Sequence, residues 1–362
     1  MPEIIFLVTV SLYFSIVILF SIGMRKKYPH INYEDLPHAT IIVAARNEEK
    51  NIYNCLVSLN KLTYPDGKLE IIIVDDFSED STGSIIDEFI KNKPKFKKIT
   101  PDNNSALKGK VNAVASAIKI ALGEIILLTD ADCEVSPTWA VTLASYFNKD
   151  VGIVNGFTII NNGHIFSAIQ GIDLVFLLSV ASGSINMKYP VSSIGNNMSF
   201  RKEAYFETGG YKKLPFSVTE DFILLHGISG LKKYKIIYPL LKESIVISKP
   251  CAGLKELINQ KKRWGRGGFI APVGGFLIMG VAFISNLLVL LTPLFFSHVW
   301  LYLAVFKIII DYLFLYPVYT VLGIKNQLKY YVYFQVYFIL YTTILPLLLV
   351  FSRKISWKGR NY

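Results

Sequence analysis

Apolar positions along this chain fall into three regimes. Residues 4–23, IIFLVTVSLYFSIVILFSIG, carry no charge over a length that crosses a bilayer, and Arg25, Lys26 and Lys27 follow at once. This predicts a transmembrane helix with the next domain on its basic, cytoplasmic side. A cleaved leader would instead carry its charges ahead of the apolar run. From residue 38 to 245, short apolar runs alternate with segments of helical periodicity: ATIIVAAR and NEEKNIYNCLVSLNK, LEIIIVDD and STGSIIDEFIKN, KGKVNAVASAIKIA and EIILLTDAD. Strands buried on both faces lose the apolar-polar alternation, so the Ile and Val runs predict an α/β domain with a mostly parallel sheet covered by helices. Beyond Lys262 the chain is apolar almost to its end, which predicts a membrane region over 270–351 and a basic tail over 352–362.

Two apolar segments complicate the count of spans. FSAIQGIDLVFLLSVASGSIN, residues 166–186, is long enough to cross but holds Gln170, Asp173 and two glycines. A crossing there would put the later motifs on the opposite side from the earlier ones, so it is expected to be an internal or membrane-surface helix. The C-terminal region offers stretches at 270–294, 298–321 and 331–351, two to three of them crossing. Three crossings would leave Arg353, Lys354, Lys358 and Arg360 outside, against the tendency of basic residues to stay inside. One of the three is a candidate for a re-entrant segment, and the middle stretch is the least lipid-like, because Lys307 and Asp311 lie one turn apart in its interior, unless they pair within a bundle.

Composition narrows the function. The chain has 362 residues, 52% of them hydrophobic, and a formal net charge of +11, with a mean hydropathy of +0.40; it is too apolar for an ordinary soluble protein and long enough for one domain plus membrane segments. The basic balance fits anionic lipid or a phosphorylated substrate. Zinc-finger spacing and basic runs interleaved with stacking aromatics are missing, so no nucleic-acid partner is expected. Cys55, Cys133 and Cys251 lack metal-like spacing and are expected to be reduced thiols.

The candidate chemistry lies at strand ends. ILLTDADCE drives an apolar run into Asp130 and Asp132, whose mutual repulsion requires a positive partner. Hard carboxylate oxygens suit Mg²⁺ or Mn²⁺ holding a diphosphate, although two acids also serve to cap a strand end. Arg46-Asn47-Glu48 and Asp75-Asp76 end two further strands, and ligands of open α/β sheets bind beyond such ends. Lys108 and Lys110 open a helix, where ammonium groups and backbone donors face an anion, unless they are a solvated pair. Glu220 and Asp221 open another helix with Thr219 as a possible N-cap. They either complement the helix dipole or supply a base for an acceptor hydroxyl. Gly195-Asn196-Asn197 forms a turn whose amides suit a hydroxyl-rich ligand or plain turn chemistry. In QKKRWGRGG, Gln260, Arg263 and Trp264 share one helical face, expected to serve a site, while the neighbouring lysines serve lipid headgroups.

In order, VAARNEE, VDDFSED, KGKVNAV, TDADCE, GNNMSFRKEA, TEDFILLHGI and QKKRW resemble the motif series of the membrane-bound family 2 glycosyltransferases over residues 40–265. That inverting group contains cellulose, hyaluronan and poly-N-acetylglucosamine synthases and single-transfer lipid glycosyltransferases. The resemblance implies a GT-A fold over 38–245, an interfacial helix over 250–268 and a nucleotide-sugar donor, most often a UDP-sugar. It assigns Asp75 and Asp76, helped by Arg46 and Lys110, to the nucleoside. Asp130 and Asp132 go to the diphosphate through Mg²⁺ or Mn²⁺, Asp132 as the more direct ligand. Asp221, beside Glu220, becomes the general base, and Gln260, Arg263 and Trp264, with Asn196, face diphosphate and acceptor. With few spans for a pore, a lipid or lipid-linked acceptor at the cell membrane is expected, with the catalytic domain cytoplasmic. A processive polysaccharide synthase with a possible partner subunit is the alternative. A nucleotidyltransferase would leave the Gln/Arg/Trp face unexplained, and a non-catalytic scaffold would leave the filled acidic positions unexplained.

Overall fold

The computed structural model describes residues 2–161, 163–215, 217, 219–268, 273–351, 356–357 and 360–361. Residues 270–272, where the first expected C-terminal span begins, and most of the basic tail lie outside the described residues. The chain divides into two compact units, one of residues 27–159 and 192–249, the other of residues 1–26, 160–191 and 250–362.

After α1 (Pro2–Met24), part of the second unit, the chain enters the α/β unit. It forms β1 (Ala39–Ala45), α2 (Ile52–Asn60), β2 (Leu69–Asp75), α3 (Thr82–Ile90), β3 (Phe96–Ile99), α4 (Gly109–Ile120) and β4 (Ile125–Asp130). The Ile and Val runs of β1 and β4 are buried on both faces, as a sheet covered by helices requires. Each of these strands runs parallel to its neighbours in the order β3-β2-β1-β4. The order builds outward from β1 to β3 and then restarts on the other side of β1, which makes the β1/β4 boundary the topological switch point.

The chain continues through β5 (Glu134–Val135), α5 (Trp139–Ala144), β6 (Val151–Asn155) and β7 (Thr158–Ile160), then leaves the unit for α6 (Ile165–Asn186). It returns as β8 (Met198–Arg201), α7 (Lys202–Glu207), α8 (Glu220–Gly230), β9 (Lys235–Ile237) and β10 (Val246–Ser248). Strand β8 lies antiparallel between β4 and β6, and β9 parallel beside β6, completing a seven-stranded sheet among the described residues. Because β4 precedes α6 and β8 follows it, one sheet holds motifs from both sides of that helix. Helix α6 therefore does not carry the later motifs across a bilayer.

The helical unit holds α1, α6, α9 (Leu254–Gly268), α10 (Val273–Leu290), α11 (His298–Val321) and α12 (Tyr331–Phe351). Within the span 38–245 expected for the catalytic domain, residues 160–191 cluster with the helices. Helix α6 lies against α1 and α12. A Cβ on Gly23 would fall 2.3 Å from the backbone oxygen of Gly183, so glycine on both helices permits their close crossing. Among the described residues, five helices are long and apolar enough to cross a membrane by length and composition: Pro2–Met24, Ile165–Asn186, Val273–Leu290, His298–Val321 and Lys325–Leu349. Within α11, Lys307 and Asp311 are fully buried and pair at 2.7 Å. Asp311 also accepts from the Tyr13 hydroxyl at 2.6 Å and from Gln335 Nε2 at 2.9 Å, while Lys307 donates to Asn286 Oδ1. The charges that make this stretch unlike a lipid-facing helix are shared among α1, α10, α11 and α12.

Candidate active site

Register places three strand ends level. Ala45 pairs with Asp75 and Ala44 with Asp130, so the carboxyl ends of β2, β1 and β4 finish side by side next to the switch point. The turns beyond them are sharp: Asn47 and Phe77 adopt left-handed φ values of 52° and 56°, uncommon for side chains other than glycine. Such strain persists only where surroundings enforce it. Here the two loops lock together. The Asn47 N–H donates to Ser78 Oγ at 3.1 Å, and Asn47 Oδ1 accepts from the Glu79 N–H at 2.9 Å. Arg46 Nη1 donates to the carbonyl oxygens of Asp76 and Phe77 at 2.8 and 2.9 Å, and Nη2 pairs with Glu79 Oε1 at 3.1 Å. The guanidinium thus braces the loop that carries Asp76.

Asp75 and Asp76 are both buried. Asp75 Oδ1 accepts from the Ser78 N–H at 3.1 Å, and its Oδ2 lies 3.7 Å from Lys98 Nζ. Lys98 was not expected at the site. Its signal is the register of β3 on β2, which sets Lys98 beside Ile73, two residues from Asp75.

Lys110 is the cation that the acidic strand end requires. It is the second residue of α4, which begins at Gly109 with φ of 58°, a left-handed backbone that glycine adopts without penalty. Its Nζ lies 2.7 Å from Asp130 Oδ1 and 3.0 Å from Glu220 Oε1. Burial by itself would lower the pKa of this ammonium; the two carboxylates outweigh burial and raise it. A Cβ at Gly195 would lie 3.4 Å from Asp221 Oδ2 and 3.5 Å from Lys110 Nζ, so Asp221 faces the same place. Lys110 therefore joins Asp130 and Glu220 rather than Asp75 and Asp76, to which the resemblance assigned it. Replacing it, as in Lys110→Met, is expected to destabilise the fold by about 3 kcal/mol, the lower end of the cost of breaking a buried ion pair. The lower end applies because the Asp130 side chain is 34% exposed. Chemical denaturation measures this, with Lys110→Arg retaining most of the stability.

Glu220 and Asp221 open α8 as expected, but Thr219 does not cap it: its hydroxyl pairs with Ser217 Oγ at 3.0 Å. Asp221 Oδ1 accepts from the Phe222 N–H at 2.8 Å.

The turn carrying Asp132 rests on buried groups. Cys133 Sγ approaches Asp132 Oδ1 at 3.5 Å, and Cys55 Sγ approaches the Asp130 carbonyl at 3.6 Å. Burial first, and then the charges of Asp132 and Asp130, push both thiols up, so they remain neutral packing groups. All three cysteines are buried and unbridged. Asn196, expected to face the ligand, is turned inward: Oδ1 accepts from Thr158 Oγ1 at 2.8 Å, and Nδ2 points at Cys133 Sγ at 3.5 Å. Asn197 is likewise satisfied internally by Trp139 Nε1 at 2.9 Å and the carbonyls of Phe157 and Ser244. Asn196 thus packs against Cys133, the residue after Asp132, rather than facing a ligand.

Among the described residues no group of three or more His, Cys, Asp or Glu side chains could hold a metal ion. Asp130 and Asp132 fit a cation that takes one or two carboxylates and completes its shell with substrate oxygens. In the helical unit, α9 carries Gln260, Arg263 and Trp264. Its Lys261, expected at lipid headgroups, is instead 3% exposed and paired with Asp173.

The model of the glycosyl transferase family 2 matches residues 40–217. The beta-monoglucosyldiacylglycerol synthase of Trichormus variabilis is 30% identical over 245 residues, 65% of this chain and 49% of the relative. The poly-beta-1,6-N-acetyl-D-glucosamine synthase of Staphylococcus aureus strain COL is 29% identical over 263 residues, 71% of this chain and 61% of the relative. The chain thus spans 49% to 61% of the length of these relatives. A mannosyltransferase from Pyrobaculum calidifontis, solved with GDP-mannose and Mn²⁺, shares the fold at a TM-score of 0.59 and 17% identity, covering 93% of this chain and 99% of that one. Level strand ends at a switch point, a mostly parallel sheet and the family match agree: the chain carries a glycosyl transferase family 2 domain of the GT-A fold.

Proposed function

We propose that this protein transfers a sugar, with inversion, from a UDP-sugar to a lipid or lipid-linked acceptor at the cytoplasmic face of a cell membrane. The observation that carries the reading is the meeting of Lys110, Asp130, Glu220 and Asp221 beside the β1/β4 switch point. Asp75 and Asp76, on the braced loop, take the hydroxyl and imide groups of the nucleoside. A Mg²⁺ or Mn²⁺ held by Asp132 and Asp130 would neutralise charge on the diphosphate. The motif assigns the base role to Asp221, while Glu220 is engaged by Lys110. Its carboxylate takes the acceptor hydroxyl proton as that oxygen bonds to the anomeric carbon, while the bond to the diphosphate breaks on the opposite face. The motif assigns Gln260 and Arg263 to diphosphate and Trp264 to stacking on a sugar or acceptor. A processive polysaccharide synthase is the second reading, favoured by the 71% of this chain that aligns with the poly-N-acetylglucosamine synthase.

The test uses the full chain in lipid nanodiscs with Mn²⁺ and, separately, UDP-glucose, UDP-N-acetylglucosamine and GDP-mannose. Release of UDP with a one-sugar mass increment on a lipid is expected. A ladder of increments would install the second reading, and no nucleotide release from any donor would overturn both.

A further inference from the structure

Helix α6 is apolar enough to cross a membrane, yet it buries Gln170 and Asp173, three residues apart and so on one face. Both meet α9 and the residues leading into it. Gln170 clamps the backbone of Cys251, its Oε1 accepting from the N–H at 2.8 Å and its Nε2 donating to the carbonyl at 3.2 Å. Asp173 Oδ2 accepts from Lys261 Nζ and from the Tyr337 hydroxyl of α12 at 3.3 Å. Lys261 Nζ in turn stands 4.3 Å from the centroid of the Trp264 ring and 5.1 Å from that of Tyr341. Asp173 is fully buried, and its Oδ1 has no hydrogen-bond partner among the described residues.

An apolar pair would anchor α9 without the desolvation of two charges, and buried ion pairs are weak contributors to stability for that reason. What an ion pair supplies is a fixed position. At about 100° per residue, Trp264 lies between Gln260 and Lys261 around the helix, so Lys261 borders the Gln/Arg/Trp face on its indole side. We infer that Asp173 and Lys261 are positioning residues, which set the rotation of α9 and the pose of Trp264 so that Gln260, Arg263 and Trp264 are presented to substrate in one orientation. This rests on the proposed transferase reading and adds the element that aims its Gln/Arg/Trp motif.

The experiment compares wild type with Lys261→Met, Lys261→Arg and the double variant Asp173→Leu/Lys261→Met in nanodiscs. It follows UDP release from the donor most active with wild type, UDP affinity by calorimetry, and thermal midpoint. A displacement of about 1 Å costs about 100-fold in rate. Lys261→Met is expected to lose about that much kcat and to bind UDP more weakly, since Gln260 and Arg263 face the diphosphate, and Lys261→Arg to recover at least a tenth of wild-type kcat. The double variant removes both charges, so it is expected to fold with a near-wild-type midpoint and still turn over slowly. A double variant that regains both midpoint and kcat, or a folded Lys261→Met with wild-type kcat, overturns the inference. Wild type that releases no nucleotide from any donor overturns the transferase reading instead.

Discussion

Asp221→Asn is expected to lower kcat by about 10²- to 10⁴-fold, the range that a positioned general base contributes, while UDP affinity stays within about twofold of wild type. The amide keeps the shape and the bond from the Phe222 N–H but cannot accept the acceptor proton. Glu220 cannot substitute for it, since its Oε1 is 3.0 Å from Lys110 Nζ and its side chain is only 10% exposed. Glu220→Gln should therefore behave differently, weakening the Lys110 cluster and the fold more than the chemical step. Single-turnover measurement of sugar transfer beside calorimetric UDP binding separates the two. A folded Asp221→Asn with undiminished transfer would remove this carboxylate from the base role.

The second large effect is at Asp132. Lewis-acid neutralisation of a leaving diphosphate is worth several kcal/mol, so Asp132→Asn is expected to lower kcat/KM by about 10³-fold, equivalent to about 4 kcal/mol. The loss should fall on substrate binding as well as on turnover, in contrast to Asp221→Asn. The effect on activity should exceed that on stability, because Asp132 is only partly buried at the turn. Steady-state kinetics across a Mn²⁺ series measures it, and full activity with a wild-type metal dependence would exclude Asp132 from metal binding.

Several parts of this arrangement were legible in the sequence. Runs such as LEIIIVDD state both that a strand is buried on two faces and where it ends, so the acids fall at strand ends before any coordinate is known. The spacing of Lys307 and Asp311 allowed either a re-entrant segment or a pair inside a bundle, and the partners on three other helices decide for the pair. Other parts depend on chain separation or side-chain direction. Lys98 reaches Asp75 only through the register of β3 on β2, and Lys110 joins Asp130 and Glu220, which lie 20 and 110 residues away, only through tertiary packing. The turn containing Asn196 and Asn197 was identifiable, but turn composition does not say that both amides point inward. Helix α6 was separable from the bilayer question by its polar residues, yet its partners, Cys251 and Lys261, lie more than 80 residues downstream.

The central claim is that the acids at the end of β4 bind a divalent ion together with a nucleoside diphosphate. Electron paramagnetic resonance of free Mn²⁺, titrated with wild-type protein in nanodiscs with and without UDP, tests it most directly. UDP is expected to tighten Mn²⁺ uptake by at least about tenfold, or about 1.4 kcal/mol, in wild type and Asp221→Asn but not in Asp132→Asn. Mn²⁺ uptake indifferent to UDP, or the same UDP-linked uptake in Asp132→Asn as in wild type, would contradict the account.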